Sequence, residues 1–109
     1  MPITLLVPEA VDRELTPTPT ALFRRAGLLG IATVVDILDG VVTPSDRALL
    51  CQNPINGSFN ENDAAILNAA EREGVPVITS NNALTRQISS DNPPGRKARW
   101  GAIPIIQVC

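Results

Sequence analysis

The run Asn60-Glu61-Asn62-Asp63-Ala64-Ala65-Ile66-Leu67-Asn68-Ala69-Ala70-Glu71-Arg72-Glu73-Gly74-Val75-Pro76-Val77-Ile78-Thr79-Ser80-Asn81 constrains the fold more than any other part of the chain. Asn60 is a good helix cap, and Asp63 stands three positions on, where a short acid can reach back to the cap's backbone. Ile66, Leu67 and Ala70 follow Asp63 at helical spacing, so one face is apolar and Asp63 borders it. Gly74 stops the helix, because glycine takes left-handed angles without a Cβ penalty. Val75 to Thr79 then reads as a short apolar strand, of the kind buried on both faces of a parallel sheet. A helix over 82–90, with Leu84 and Ile88 on one face, and a closing strand over 103–108 complete a βαβ unit.

The rest of the chain fits the same plan. Ile3 to Val7 is an apolar strand, and Pro8 suits the first position of a helix running to Leu15. Pro17 and Pro19 stop that helix, and a second is expected over 21–26, closed by Gly27. The β-branched Ile31, Thr33, Val34 and Val35 favour a strand over 31–35, although Ile37-Leu38 and the length of the run also allow a helix. Thr43 caps, and Pro44 opens, a helix expected to reach Cys51. Residues 52–59 carry turn chemistry, and 91–99 form a polar proline-glycine loop. The expected fold class is α/β, a small three-layer sandwich with a mostly parallel sheet, in a single domain over 1–109. Ligands of such sheets gather outside the carboxyl ends of the strands.

Composition removes several function classes. With no histidine, neither a Ser-His-Asp nor a Cys-His nucleophile can be assembled. Cys51 and Cys109 are too few for a zinc site or a disulfide framework. There is no P-loop and no Gly-x-Gly-x-x-Gly. Asp36 and Asp39 interrupt the longest apolar run, which stays short of the roughly 18 residues that span a bilayer. No basic region followed by an apolar segment opens the chain, so the expected location is the cytoplasm, with no membrane partner. Only three residues are aromatic, so the core is expected to rest on Ile, Leu, Val and Ala. Charge is uneven. Residues 1–74 hold five basic and ten acidic side chains (net −5), and residues 75–109 hold four basic and one acidic (net +3).

A few residues can carry chemistry. An inward Asp63 is costly unless paired, hydrogen-bonded or metal-bound, and completion of a capping box with Asn60 is the plainer of its two readings. Asn81 stands at a strand's carboxyl end, where it serves either a turn or a ligand. Glu14 borders the core face set by Val11 and Leu15, whereas Asp36 and Asp39 are expected to be solvated. Arg96, Lys97, Arg99 and Trp100 join three cations to the only tryptophan. Such a loop either binds phosphates and stacks a base, or stays solvated with Trp100 tucked against the core.

Two of these segments resemble the PIN domain, a small α/β metal-dependent ribonuclease fold found in toxin–antitoxin toxins and RNA-processing nucleases. Asp63-Ala64-Ala65-Ile66-Leu67, Ala69-Ala70, Gly74 and Val77-Ile78-Thr79-Ser80-Asn81-Asn82-Ala83-Leu84 are similar to its aspartate-bearing helix and the strand that follows. Leu6-Val7-Pro8-Glu9-Ala10-Val11-Asp12-Arg13-Glu14-Leu15 is similar to its second strand and the helix carrying a catalytic glutamate. The resemblance implies that Glu14 and Asp63 bind Mg²⁺ or Mn²⁺ and that Asn81 occupies the family's fourth acidic position, without its charge. Hard cations of this kind prefer oxygen ligands. Arg86, Arg96, Lys97, Arg99 and Trp100 would contact RNA. The implied activity is a toxin-type endoribonuclease acting on transfer RNA or another structured RNA, with a cognate antitoxin or immunity protein as partner. Homo-oligomers are compatible with it. The alternatives are a catalytically inactive PIN-like module that binds RNA or protein, and an unrelated α/β partner-binding domain. The family's opening strand, which ends in an aspartate, has no counterpart before Ile3. That leaves three arrangements: a shortened or rearranged domain, a piece of a longer chain, or Pro8-Glu9 at that first strand's end with Glu9 standing in for the aspartate.

Overall fold

The computed structural model describes residues 3–14, 30, 32–50, 59–79, 82–91 and 94–107. The helix expected over 21–26, the turn over 52–58, Asn81, and the side chain of Glu14 lie outside the described residues. The elements in chain order are β1 (Ile3–Pro8), α1 (Glu9–Glu14), β2 (Ala32–Ile37), α2 (Pro44–Arg47), α3 (Glu61–Glu73), β3 (Val77–Thr79), α4 (Asn82–Ser90), α5 (Arg96–Trp100) and β4 (Ile105–Gln107).

β1 pairs with β2 in parallel, from Ile3 opposite Ala32 to Pro8 opposite Ile37. β3 pairs with β4 in parallel, from Val77 opposite Ile105 to Thr79 opposite Gln107. The α/β character and the parallel pairing agree with the sequence reading. The single sheet does not, because the described strands form two separate two-stranded sheets. The reason lies in α3, which packs against β1 and α1 on one side and β3 on the other. Serving two sheets, it buries a wide arc: Ala64, Ala65, Leu67, Asn68, Ala69 and Ala70. Small alanines let backbones approach on both sides, while Ile66 is only half-buried.

The ends of α3 follow from its sequence. Asn60 accepts the Asp63 N–H at 3.0 Å, and Asp63 accepts the Asn60 N–H at 2.9 Å, closing the capping box. Gly74 takes φ +66°, and the Val75 N–H returns to the Ala70 carbonyl at 3.1 Å. α2 starts the same way, with a reciprocal Thr43–Asp46 box and Pro44 at its first turn. It is shorter than expected. Beyond Arg47 the chain tightens into turns, with the N–H groups of Leu49 and Leu50 bonded to the carbonyls of Asp46 and Arg47.

Phe59, Ala64, Leu67, Ala70, Val77, Leu84, Ile88 and Trp100 form the core. Burial of each of the larger aliphatic side chains contributes about 2 kcal/mol. Two aromatics stand at its centre, contrary to a purely aliphatic expectation. β3 is buried on one face only. Val77 points inward, while Ile78 and its register partner Ile106 are exposed. A two-stranded sheet packed on one helix covers only one of its faces, so the expectation of a strand buried on both faces fails here. The expected loop over 91–99 is in part a helix, α5. Asp91, at φ +53°, accepts the N–H groups of Gly95 and Lys97, both at 3.0 Å, and so shapes the turn that launches it. Among the described residues no helix is long and apolar enough to cross a membrane.

Two glycines differ in what they do. Gly74 has open space where a Cβ would stand, so only its left-handed backbone opposes substitution. Gly40 donates to the Ala65 carbonyl at 3.1 Å and lies so close to α3 that a Cβ would collide with Asn68 and the Ala69 backbone. Gly74→Ala is expected to cost about 1 kcal/mol. Gly40→Ala should cost more, about 3 kcal/mol, because backbone must move. Urea denaturation of both variants checks the order.

Candidate functional site

The loop after β2 runs beside α3, from Leu38 and Asp39 at Arg72 of its last turn to Gly40, which donates to the Ala65 carbonyl. This loop is pinned from both sides. Asp39 Oδ1 accepts the Ala10 N–H at 2.7 Å, fixing the start of α1. Arg72 donates to the carbonyls of Leu38 (2.7 Å) and Asp39 (3.0 Å), tying the loop to α3. Asp39 is therefore engaged with α1, not merely solvated as expected, while Asp36 is exposed. An open cavity of about 510 Å³ lies between this loop and the first turn of α3, lined by Asp39, Val41, Val42, Arg47, Glu61 and Asn62 among others. Arg47 and Glu61 form an exposed ion pair at 3.1 Å across it.

The implied metal ligands distribute as follows. Asp63 sits half-buried in the first turn of α3, with Oδ2 oriented by the Asn60 N–H. Glu14 ends α1, which packs on α3. Thr79 closes β3, two positions before Asn81. Among the described residues, no three Cys, Asp or Glu side chains gather closely enough to hold a metal ion.

The residues expected to contact RNA divide sharply. Arg96 is fully buried. Its guanidinium donates to the Leu49 carbonyl (2.9 and 2.7 Å) and to the backbone carbonyl and side-chain oxygen of Gln87 (3.0 and 3.1 Å). Trp100 is fully buried, and its indole N–H donates to Asn68 Oδ1 at 2.9 Å. Of the two readings of this segment, Trp100 follows the one that tucks it against the core, whereas the placement expected for Arg96, at RNA or in solvent, is corrected: α5 turns it inward too. The physical reason is that an otherwise small aliphatic interior gains its largest apolar surface from Trp100. Arg99 is committed as well, to Asp46 (3.0 Å), Glu71 (2.8 Å) and Asn68 (2.8 Å). Arg86 and Lys97 are exposed.

These groups make an interior polar assembly. Arg96 lies 4.8 Å from the Phe59 ring centroid, Phe59 and Trp100 are 5.1 Å apart, and Arg99 lies 5.4 Å from the Trp100 ring. Two cations thus flank two aromatics, each contact worth about 1 kcal/mol. Asn68 joins the parts. Its amide nitrogen donates to the Val41 carbonyl (2.9 Å) and Asp46 Oδ2 (3.0 Å), and its oxygen accepts from Arg99 and Trp100. Among the described residues every buried side-chain nitrogen or oxygen has a partner. Burial pushes the Asp46 carboxyl up, but the Thr43 N–H, Arg99 and Asn68 outweigh it and hold the group below its ordinary value. Burial likewise pulls the Arg99 guanidinium down, and Glu71 and Asp46 more than reverse it.

Asp46 and Asn68 carry this assembly, and neither was singled out from sequence. A signal existed for Asp46 in its capping position after Thr43, and for Asn68 in its place one turn from Ala64 on the inner face of the helix. Comparison of the chain with family models, with curated proteins and with solved structures finds no match.

Asn68→Ala leaves the buried indole N–H without its partner and removes one of the two donors to Asp46 Oδ2, the Thr43 N–H being the other. It is expected to cost about 3 kcal/mol. Arg47→Ala removes only an exposed ion pair and should stay within about 0.5 kcal/mol. Urea denaturation followed by Trp100 fluorescence measures both. The Asp46 carboxyl also sets a pH dependence. Because its folded-state value is lowered, the unfolded chain binds a proton first as pH falls, and stability declines with it. The contribution is complete above about pH 4 and is lost as pH drops through the lower folded-state value. Asp46→Asn should flatten the fall in unfolding free energy below about pH 4, measured by denaturation at stepped pH.

Proposed function

We propose that the chain is a PIN-like, metal-dependent endoribonuclease of toxin type, acting on transfer RNA or another structured RNA. The observation that carries this reading is the reach of α3. It bears Asp63 in its first turn, packs on α1, which ends in Glu14, and packs on β3, whose carboxyl end leads to Asn81. The donor chemistry fits a hard divalent ion, Mg²⁺ or Mn²⁺. Glu14 and Asp63 offer carboxylate oxygens, and the Asn60 N–H orients Asp63 as outer hydrogen bonds orient metal-binding carboxylates. Such an ion supplies an activated water and offsets charge on the phosphodiester. Asn81 would position the water or the ion, and the exposed Arg86 and Lys97 would hold flanking phosphates. A dedicated antitoxin or immunity protein follows from the toxin reading.

Two observations favour a second reading, a catalytically inactive PIN-like module that binds RNA or protein. Asp63 already serves a helix cap, and Arg96, Arg99 and Trp100 are committed to the interior.

The two readings part in one experiment. The protein is incubated with bulk transfer RNA in Mn²⁺, with and without EDTA, and RNA retention is followed by gel shift. Cleavage that EDTA abolishes, and that Asp63→Asn and Glu14→Gln each lower by about 100-fold, is the expected result. Asn60→Ala breaks the same capping box but keeps the carboxylate, so its activity should remain close to that of the parent protein. Equal losses in Asn60→Ala and Asp63→Asn would reduce Asp63 to a structural role. RNA retention without cleavage, unchanged in Asp63→Asn, would favour the binding module. Neither cleavage nor retention would overturn both.

A further inference from the structure

We draw no further inference here: the strongest candidate, the open cavity between the loop after β2 and the first turn of α3, rests on an exposed Arg47–Glu61 ion pair and on Asp39, which already serves the start of α1, and nothing in the structure shows what covers the exposed Leu38 and Val41 beside it.

Discussion

The buried amide of Asn68 is the contact on which the interior depends. A neutral amide carries both donors and acceptors, so it can face a carboxylate on one side and a guanidinium on the other. Asn68 does so, holding Asp46 of α2 with its nitrogen and Arg99 and Trp100 of α5 with its oxygen. Those elements lie more than twenty residues away from it in sequence, and a hydrophobic contact alone would not fix their orientation about α3. Hydrogen-bond geometry does. Asp46 and Arg99 are also bonded to each other, whereas the single indole N–H of Trp100 is spent on Asn68, so removal of the amide leaves that N–H in a poorly solvated place. The arm from Arg99 to Glu71 is half-exposed and counts for less.

α3 earns its central place through its small residues. Alanine buries little apolar area, and a helix inner face built on Ala64, Ala65, Ala69 and Ala70 would make a thin core by itself. What it permits is close approach on two sides, so that β1 and β3 can both rest on one helix. The missing apolar volume is supplied by Phe59 and Trp100, whose rings meet tilted at 46° between Arg96 and Arg99. The guanidinium groups are tolerated in the interior because backbone carbonyls, amide oxygens and acids take their donors.

Local signals in the sequence proved legible where the physics is local. The Asn60–Asp63 capping box, the Thr43 cap, the Gly74 stop, the Pro44 start and the parallel βαβ pairing of β3 with β4 depend on neighbours within a few residues or on chain-crossover rules. The failures concern partners distant in sequence. Nothing near Trp100 says that Asn68 will receive its indole N–H, and nothing near Arg96 says that the Leu49 carbonyl awaits it. A run of Arg-Lys-Ala-Arg-Trp therefore looked like a basic loop and is an inward-facing helix. The division into two sheets was likewise hidden, because the strands read alike whether one sheet or two receives them. Of the site residues, Asp63 was legible as a cap, and its alternative reading as a ligand turns on Glu14 and Asn81 rather than on α3 itself.

The inward turn of α5 changes what the charge asymmetry means. Residues 75–109 carry a net +3 in sequence, yet two of their four cations face inward, and Arg86 and Lys97 are the exposed pair. Phosphate binding through side chains scales with the number of cations offered, each neutralised phosphate adding about −0.9 to the salt-dependence slope on duplex DNA and about −0.7 on a single strand. Two exposed cations in this part of the chain offer little of that attraction, and Arg47 and Arg72, exposed elsewhere among the described residues, are paired with Glu61 and Glu73. Under the proposed nuclease reading an ion held by Glu14 and Asp63 would make up that shortfall, because its double charge would act at the scissile phosphate itself. Under the binding-module reading no such supplement exists, and recognition must draw on shape and uncharged contacts.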